Sequence, residues 1–542
     1  MSDQHVTASP DGRRVALVTL GLALLAIGVW FHVWRLAQTP GWDPQEGYNL
    51  DLAWNLLHGR LRLFALTQDF IQHPPLYYLQ LGLFIRLFGY SILAVRVLAA
   101  CYAIVTTAAL LLIGRRMLGA GAALWGTAVY VVAPIMLENS RWGYSYGMLA
   151  FVGLLCLWAV WESLHVEDEV ARKRWLFVAA ALAGLAAFSD YIGVAWIVFV
   201  ALIGWRQSGR RGALALGISA GIVALGLLIL LALSPAVFVA DVFSTGGRAA
   251  GGNPVLSLVL LLFNYQRLVT YDAWLLLGVV GLFLVRQERT RNVLLGAVGL
   301  LALVILKVRT LGPSFHTGVP LLPLLALGAG VALAAGVGRL FTWAHQWLAP
   351  LDQWLDRRTQ TVTPAHADGP TFVTRALTAA LVFLVIGAPL AMTSAFDAVG
   401  LAGKLVTPQD ALLAKPDDAQ VTITFVLEHA HAGDLVLASP QLAWAFDQPV
   451  DANGRVTGIS GADIVQSVAF GGHEAAFYPG GLSRERWAYD VSVSTARCVI
   501  VDDLIRQLAA PDQMPALIPA IQQAEHWPVV YSRGQYTVYE RP

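Results

Sequence analysis

The sequence has little charge. Asp, Glu, Lys and Arg make up 13% of its 542 residues, about half of the roughly 25% found in soluble domains. Hydrophobic residues make up 57%, and the mean hydropathy is +0.61. Such a chain cannot keep its apolar surface from water, so a soluble enzyme or scaffold is excluded. The formal net charge of +1 also excludes a polybasic nucleic-acid binder.

Cysteine and the common metal-binding motifs are also scarce. Three cysteines exclude a disulfide framework, and Cys101 and Cys156 lie in apolar runs, as small buried residues do. The sequence contains no His-Glu-x-x-His motif, no closely spaced cysteine pair and no cluster of aspartates. We therefore expect no required cofactor and no dedicated metal site.

Long apolar runs, in contrast, are abundant. A membrane-spanning helix needs about 20 mostly apolar residues, and eleven runs are candidates. They lie at 15–33, 91–113, 118–137, 144–164, 175–188, 190–205, 212–233, 268–285, 293–306, 315–337 and 376–395. With the N-terminus inside, 17 Lys and Arg residues lie on the cytoplasmic side and 9 in the outer segments before residue 396. The positive-inside rule therefore predicts a cytoplasmic N-terminus and an extracytoplasmic C-terminal domain.

Charge placement also decides how two ambiguous apolar stretches are interpreted. Residues 76–89 are expected to form a helix in the membrane interface that ends at Gly89, because a second span there would turn the next basic loop outward. Residues 175–205 are expected to form a tight helical hairpin that turns near Asp190.

A third segment, residues 339–358, is expected to form an interfacial helix on the cytoplasmic side. Trp343, Trp347 and Trp354 fall on one face at helical spacing, which suits anchoring at a membrane surface. Pro350 is expected to kink or end this helix.

The composition changes after about residue 396, where short β-rich runs alternate with helical ones. The β-rich runs predict strands at 421–427, 434–438, 498–501, 529–531 and 535–539. About 145 residues are enough for one small α/β domain. We find no metal-ligand or nucleophile signature in it.

The predicted fold class is therefore a mainly α-helical polytopic membrane protein with a small extracytoplasmic α/β domain. The expected divisions are a cytoplasmic tail (1–14), a transmembrane domain (15–395) and the C-terminal domain (396–542). Within the transmembrane domain, the first outer loop and its interfacial helices occupy 38–89, and a cytoplasmic loop occupies 339–375.

The first outer loop holds the best candidates for chemistry. Asp43 and Glu46 stand three residues apart soon after the first span, and His73 precedes two prolines at the start of the interfacial helix. Carboxylates and a histidine at the outer membrane boundary suit a lipid-linked substrate that presents its head group there. The residues alone also allow a helix N-cap for Asp43, a helix-dipole partner for Glu46 and a solvated loop position for His73.

Several segments together resemble glycosyltransferase family 39, within the GT-C group of membrane enzymes. This group includes protein O-mannosyltransferases and the bacterial aminoarabinose transferase of lipid A. The resemblance covers roughly 15–340. It is carried by the acidic outer loop, HPPLYYLQLGLFIRLFG (73–89), RVLAA to GRRMLG (96–119), SRWGYSYGM (140–148), SDYIG (189–193) and the aromatic, proline-bearing stretch 315–327.

The resemblance implies a GT-C-like helical bundle and an activity. A sugar passes with inversion from a polyprenyl-phosphate carrier to an acceptor hydroxyl, an acid of the first outer loop acts as general base, and cations hold the donor phosphate. The family usually has an adjacent Asp-Glu pair, but Gln45 stands at the expected Asp position here, and Asp190 stands where a Lys is common. We expect Asp43 to be the base and Glu46 to support it or contact the acceptor, with Glu46 acting alone as the other option.

Further residues are candidates for substrate contact. They are His73, Tyr48, Tyr77, Arg141, Tyr144, Arg248, Lys307 and Arg309. For Arg248, Lys307 and Arg309 the alternative is anchoring to lipid head groups, and for Arg141 it is a helix cap. A divalent ion held by the two loop acids and His73 is a weaker alternative.

Two other functional classes stay open. One is a transporter or flippase for a lipid or glycan, although the sequence shows no inverted repeat and no matching pair of broken helices. The other is a catalytically inactive relative that binds glycans, which the Gln45 substitution allows. The expected partners are a polyprenyl-phosphate-sugar donor, an acceptor protein, lipid or glycan, and membrane lipid, but not nucleic acid. The expected location is the bacterial cell membrane.

Overall fold

A computed structural model describes residues 10–57, 74–233, 273–308, 315–359, 372–401, 413–447, 458–470 and 492–542. Within these ranges the chain forms a helical bundle followed by a small mixed sheet with its own helices. The predicted mainly α-helical fold with a small C-terminal α/β domain is therefore confirmed.

Ten helices lie in the described part of residues 10–233. They are α1 (Pro10–Val33), α2 (Pro44–Leu57), α3 (Leu76–Phe88), α4 (Ile92–Leu118), α5 (Ala120–Val132), α6 (Pro134–Arg141), α7 (Tyr146–His165), α8 (Glu169–Ser189), α9 (Val194–Gln207) and α10 (Gly209–Leu233). Five more bundle helices lie in the described residues after 233: α11 (Ala273–Phe283), α12 (Glu288–Val308), α13 (Leu322–Thr359), α14 (Phe372–Val382) and α15 (Ala388–Leu401).

Six helical stretches in the described ranges are long and apolar enough to cross a bilayer. They are Val15–Val33, Ile92–Leu118, Tyr146–His165, Gly209–Ile229, Gly318–Leu351 and Ala376–Leu401. Each of the eleven predicted spans overlaps a helix. Large apolar side chains such as Leu112, Leu225 and Leu384 stay exposed, as on a surface that lipid covers. The chain is thus a multi-pass membrane protein, while the count of eleven crossings and the orientation stay predictions.

The helix boundaries match two of the expected turns. Helix α3 ends at Phe88, directly before Gly89. Helix α8 ends at Ser189, and the Asp190 carboxylate accepts the backbone N–H of Ile192 at 2.9 Å, which starts a short 3₁₀ turn before α9. The hairpin at Asp190 is therefore confirmed.

Helix α13 differs from the expectation of a span followed by a separate interfacial helix. Its 38 residues form one element, about 57 Å long at 1.5 Å per residue, whereas the hydrocarbon core of a bilayer is about 30 Å thick. Pro350 lies inside the helix and does not end it, because a proline removes only one backbone donor and the turns on either side keep theirs. Trp343, Trp347 and Trp354 are exposed as predicted.

The C-terminal region contains a five-stranded sheet in the order β2-β1-β3-β5-β4. The strands are β1 (Leu435–Ala438), β2 (Ser460–Asp463), β3 (Cys498–Val501), β4 (Val529–Arg533) and β5 (Tyr536–Glu540). The first three are parallel, and β5 pairs antiparallel with β3 and β4. The helices are α16 (Pro416–His429), α17 (Pro440–Ala443), α18 (Ile464–Phe470), α19 (Asp503–Leu508) and α20 (Leu517–Glu525).

The strand predicted at 421–427 is wrong, because this run lies within α16. Pro416 occupies the first turn, two aspartates follow it there, and His429 lies in the last turn. These terminal signals favour a helix, and they outweigh the β-branched residues in its middle.

The packing of α11 on α13 generates the first prediction. A Cβ added at Gly281 would lie 1.7 Å from the Gly328 carbonyl oxygen. We expect Gly281→Ala to lower stability by about 1–3 kcal/mol through overpacking, measured as a lower Tm of the purified protein in detergent. The control is Gly299→Ala, whose Cβ would meet nothing within 4 Å. Equal Tm values for the two variants would contradict this packing.

Candidate functional site

The candidate site begins at the N-terminus of α2. The Asp43 Oδ1 atom accepts the Gln45 backbone N–H at 2.8 Å, and Glu46 Oε2 accepts the Asp43 backbone N–H at 3.0 Å. This reciprocal pair is a capping box with Asp at the N-cap, and Pro44 stands at the first helical position. The spacing of the two acids therefore fixes where the helix starts.

Arg96 of α4 holds Glu46 in a fully buried ion pair. Its Nε and Nη2 atoms donate to the two carboxylate oxygens at 2.8 and 2.7 Å. The three remaining N–H groups donate to the backbone carbonyls of Leu36, Pro40 and Gly41 at 2.7–3.0 Å. A guanidinium has five donors, so every donor of Arg96 is used, and the chain between α1 and α2 is folded around it.

Glu46 is equally saturated. Besides the two bonds from Arg96 and the one from the Asp43 N–H, its Oε1 atom accepts the Gly143 N–H at 3.2 Å. A carboxylate has about four acceptor positions, and all four are occupied. Glu46 therefore orders the loop and has no position left for a proton from a substrate.

The segment after α6 is fixed to α2 through the backbone N–H and the backbone carbonyl of Gly143. Gly143 donates its N–H to Glu46, and its carbonyl accepts the Asn49 Nδ2–H at 2.6 Å. The next residue, Tyr144, thereby reaches Asp43, and a hydrogen bond joins the tyrosine hydroxyl to the carboxyl group. Asn49 also accepts the Tyr78 hydroxyl at 3.3 Å.

Asp43 differs from Glu46 in being partly exposed. Removal from bulk water and the negative charge of Glu46 raise the pKa of Asp43 to about 6. The hydrogen bonds from Gln45 and Tyr144 and the charge of Arg96 act in the opposite direction. Burial and the Asp43 charge raise the pKa of Tyr144 well above its usual value, so its hydroxyl stays a donor. A carboxyl group with a pKa near 6 suits proton transfer close to neutral pH.

A second buried acid lies next to this segment. Asp190, at the α8–α9 hairpin, accepts the Ser145 hydroxyl at 3.0 Å. The hairpin and the 142–145 segment are thus joined directly. Asp190 stands where glycosyltransferase family 39 often has Lys, and here it is a structural hydrogen-bond acceptor.

Arg141 is fully buried and binds backbone oxygens. Its guanidinium donates to the carbonyls of Phe31, Trp34 and Thr39, the last two at 2.8–3.0 Å. These carbonyls lie at and just beyond the C-terminal end of α1, where a positive charge is favourable. This is the helix-capping role that the sequence left open.

Besides Tyr144, two other tyrosines were predicted to contact substrate, and their surroundings differ. The Tyr48 hydroxyl donates to Asp463 Oδ2 at 2.6 Å, which links α2 to the C-terminal domain. The Tyr77 hydroxyl is fully buried, and no partner is found for it among the described residues. An unpaired buried hydroxyl costs free energy, so Tyr77 has unused capacity to donate.

The other predicted ligands cannot be placed from this structure. His73, Arg248 and Arg309 lie outside the described residues, and Lys307 lies in α12 with its side chain outside the description. Among the described side chains there is no group of three or more His, Cys, Asp or Glu suited to a metal. The expectation that no cofactor is required therefore stays a prediction.

Comparison with known proteins gives two kinds of match. The family model for dolichyl-phosphate-mannose-protein mannosyltransferases matches residues 72–238. ArnT from Cupriavidus metallidurans, in its crystal structure with undecaprenyl phosphate, is 17% identical with a TM-score of 0.58, and the match covers 98% of both chains. The oligosaccharyltransferase of Archaeoglobus fulgidus is 12% identical with a TM-score of 0.52, covering 92% of this chain and 72% of that one. No curated protein sequence matches.

The chain has the GT-C fold. The resemblance read from the sequence is thus confirmed, because both solved structures and the family model belong to this class. The family model begins at residue 72, after α2, so the part of this GT-C chain that carries Asp43 and Glu46 lies outside the matched range.

The buried ion pair generates the second prediction. Arg96→Met leaves the Glu46 carboxylate buried without its partner, which costs about 3–5 kcal/mol. We expect a strong loss of monodisperse protein after detergent extraction and a lower Tm of the fraction that remains. The double variant Arg96→Met/Glu46→Leu removes both charges and should recover part of the loss. A single variant as stable as the unmodified protein would show that the pair does not hold the loop.

Proposed function

We propose that this chain transfers a sugar from a polyprenyl-phosphate-linked donor to an acceptor hydroxyl at the outer face of the membrane, with inversion. The GT-C fold supports the reaction class, as does the undecaprenyl phosphate bound by ArnT, a protein of the same fold. The observation that carries the proposal is the contrast between two neighbouring acids. Glu46 is saturated, while Asp43 is partly exposed and has a raised pKa.

The proposed reaction is a single displacement. The acceptor hydroxyl gives its proton to the Asp43 carboxylate, and the acceptor oxygen attacks the anomeric carbon. The bond between that carbon and the carrier phosphate breaks, and the phosphate leaves with the electron pair. Attack opposite the leaving group inverts the configuration. A positioned general base contributes about 10²–10⁴-fold to such a step.

Several of the other candidate residues have a part in this proposal. Tyr144 orients the base and keeps its pKa from rising further, and the Tyr77 hydroxyl donates a hydrogen bond to substrate. The donor phosphate needs cationic partners, and we keep His73, Arg248, Lys307 and Arg309 in that role. Glu46 acts on the reaction by holding Asp43 in place.

The proposed setting follows the charge distribution of the loops. The N-terminus lies in the cytoplasm, and the first outer loop and C-terminal domain lie on the other side of a bacterial cell membrane. There the donor head group and an acceptor protein, lipid or glycan meet at Asp43.

The third prediction distinguishes the helix-capping role of Asp43 from its proposed role as general base. Asn caps a helix about as well as Asp, but it cannot accept a proton as a base. With a panel of radiolabelled undecaprenyl-phosphate sugars, we expect Asp43→Asn to fold normally and to lose at least about 100-fold in sugar transfer. The matched control is Asp168→Asn, which changes another N-cap aspartate, at the start of α8. Its activity should stay within about twofold of the unmodified protein, because its cap is preserved.

The same assay distinguishes the other functional classes. Transfer that survives Asp43→Asn unchanged would overturn the assignment of the base. Binding of a donor without transfer by the unmodified protein would favour an inactive glycan-binding relative. Movement of the intact lipid-linked sugar across a reconstituted membrane, without transfer, would favour a flippase.

The fourth prediction concerns pH. Asp43 must be ionised to act as base, so activity is present above its pKa and is lost as the pH falls through about 6. Tyr144 lowers this pKa through its hydrogen bond. We therefore expect Tyr144→Phe to move the acid limb of kcat/KM to higher pH. The control is Tyr130→Phe, which removes a buried hydroxyl within α5 and should leave the limb in place. A limb that moves to lower pH, or not at all, would contradict the arrangement.

A further inference from the structure

Trp42, the residue directly before Asp43, is held by the C-terminal domain through both of its backbone polar groups. Its N–H donates to the Ala414 carbonyl at 2.9 Å, and its carbonyl accepts the Ala414 N–H at 3.0 Å. The same carbonyl accepts a second hydrogen bond, from Gln441 Nε2 at 2.9 Å. The Gln441 side chain is fully buried. A buried neutral amide thus donates to a backbone oxygen at the edge of the candidate site.

The approach of α17 to α2 explains why Gln441 reaches this position. Helix α17 follows β1 at the carboxyl edge of the parallel strands, with Pro440 at its first position. A Cβ added at Gly47 would lie 1.9 Å from the Pro440 carbonyl oxygen, so the two backbones touch. The Trp444 ring, one residue beyond α17, packs at 5.9 Å from that of Trp42. Only a glycine at position 47 allows this contact.

A second contact lies five residues beyond Asp43 in the chain. The Tyr48 hydroxyl donates to Asp463 at the end of β2, on the same edge of the sheet. The Asp463 carboxylate also accepts the Val465 N–H at 2.9 Å and so caps α18. The C-terminal domain therefore contacts the chain on both sides of Asp43, before it at Trp42 and after it at Tyr48.

We propose that Gln441 is a positioning residue for Asp43, and that the C-terminal domain serves the reaction by fixing this carboxylate at its distance from the bound acceptor. The inference rests on the proposed function. A general base must lie within hydrogen-bond reach of the proton that it takes, and a displacement of about 1 Å can cost about 100-fold in rate. Gln441 touches no reacting atom in this account.

The neutrality of Gln441 makes the inference testable through pH. The charged and titratable groups that act on Asp43 are Glu46 of the same helix, Arg96 of α4 and Tyr144 before α7. Gln441 is neutral and adds no charge to the groups that act on Asp43. Replacing it with an apolar side chain alters no electrostatic partner, so any movement of the acid limb reports movement or hydration of Asp43. Greater hydration lowers a pKa that burial has raised, which moves the limb toward lower pH.

The experiment compares Gln441→Met with Gln535→Met in the full-length protein in detergent. Gln535 is also buried in the C-terminal domain and donates one side-chain hydrogen bond, to the Tyr536 hydroxyl at 2.9 Å. Both variants lose one buried amide, but only Gln441→Met removes a hydrogen bond to Trp42. We expect the backbone amides of residues 42–49 to exchange hydrogen roughly fivefold faster in Gln441→Met alone. We also expect kcat to fall about 10- to 100-fold, KM for the donor to change less, and the acid limb to move to lower pH.

The outcomes separate this inference from the proposed function. If Asp43→Asn abolishes transfer while Gln441→Met and Gln535→Met behave alike in exchange, kcat and pH profile, Gln441 has no positioning role and the base assignment stands. If Asp43→Asn retains transfer, the base assignment fails, and faster exchange in Gln441→Met then shows a structural contact only. Faster exchange of residues 42–49 with an unchanged kcat would also overturn the positioning role.

Discussion

The arrangement of the candidate site depends on one guanidinium. Arg96 uses all five of its donors, two on Glu46 and three on the backbone between α1 and α2. A buried ion pair contributes little net stability compared with apolar residues of the same volume, but removal of one partner is severe. What Arg96 supplies is geometry. Arg96 binds three carbonyls of the irregular chain between α1 and α2 and orients Glu46. Through Glu46 it also fixes the start of α2 and the position of Gly143, the residue before Tyr144.

This network divides the work between the two acids. A carboxylate with four hydrogen bonds is a structural element, whereas one with two partners and a raised pKa can exchange a proton. The sequence contains both acids in one short motif, and a capping box explains their spacing without any catalysis. Their roles separate only through partners that come from α4 and from the segment after α6. In the proposed function Asp43 therefore has a second role beyond its cap, whereas Glu46 has only the structural one.

The sequence predicted those features that follow from local physics. Apolar length gave the helices, the end of α3 before Gly89 followed from glycine, and the hairpin at Asp190 followed from charge parity and a polar break. The strand predicted at 421–427 failed because β-branched content was weighed above the proline and charges at the ends of α16. The unbroken α13 shows that one proline does not end a long helix by itself.

Only some residues of the candidate site could be predicted from the sequence. Asp43 and Glu46 stood out because they follow a span, but Arg96 lies 50 residues beyond Glu46, near the start of an apolar helix. Asn49 and Gly143 carry no chemical signature at all, since an amide side chain and a glycine are common everywhere. Arg141 looked like a phosphate ligand because its charge was visible in the sequence and its carbonyl partners were not. Non-local hydrogen bonds to the backbone leave no pattern along the chain.

The contact between Gln441 and Trp42 has a consequence for biogenesis. Its two partners are separated by 399 positions, and a ribosome that adds about 5–20 residues per second needs roughly 20–80 s to go from one to the other. During that interval the helices can insert in the bilayer, but the tryptophan lacks its partners. The nascent protein therefore completes the contacts around Trp42 only after the C-terminal domain has emerged and folded. A product that ends before residue 441 would insert its helices and still lack the hydrogen bond from Gln441 to Trp42.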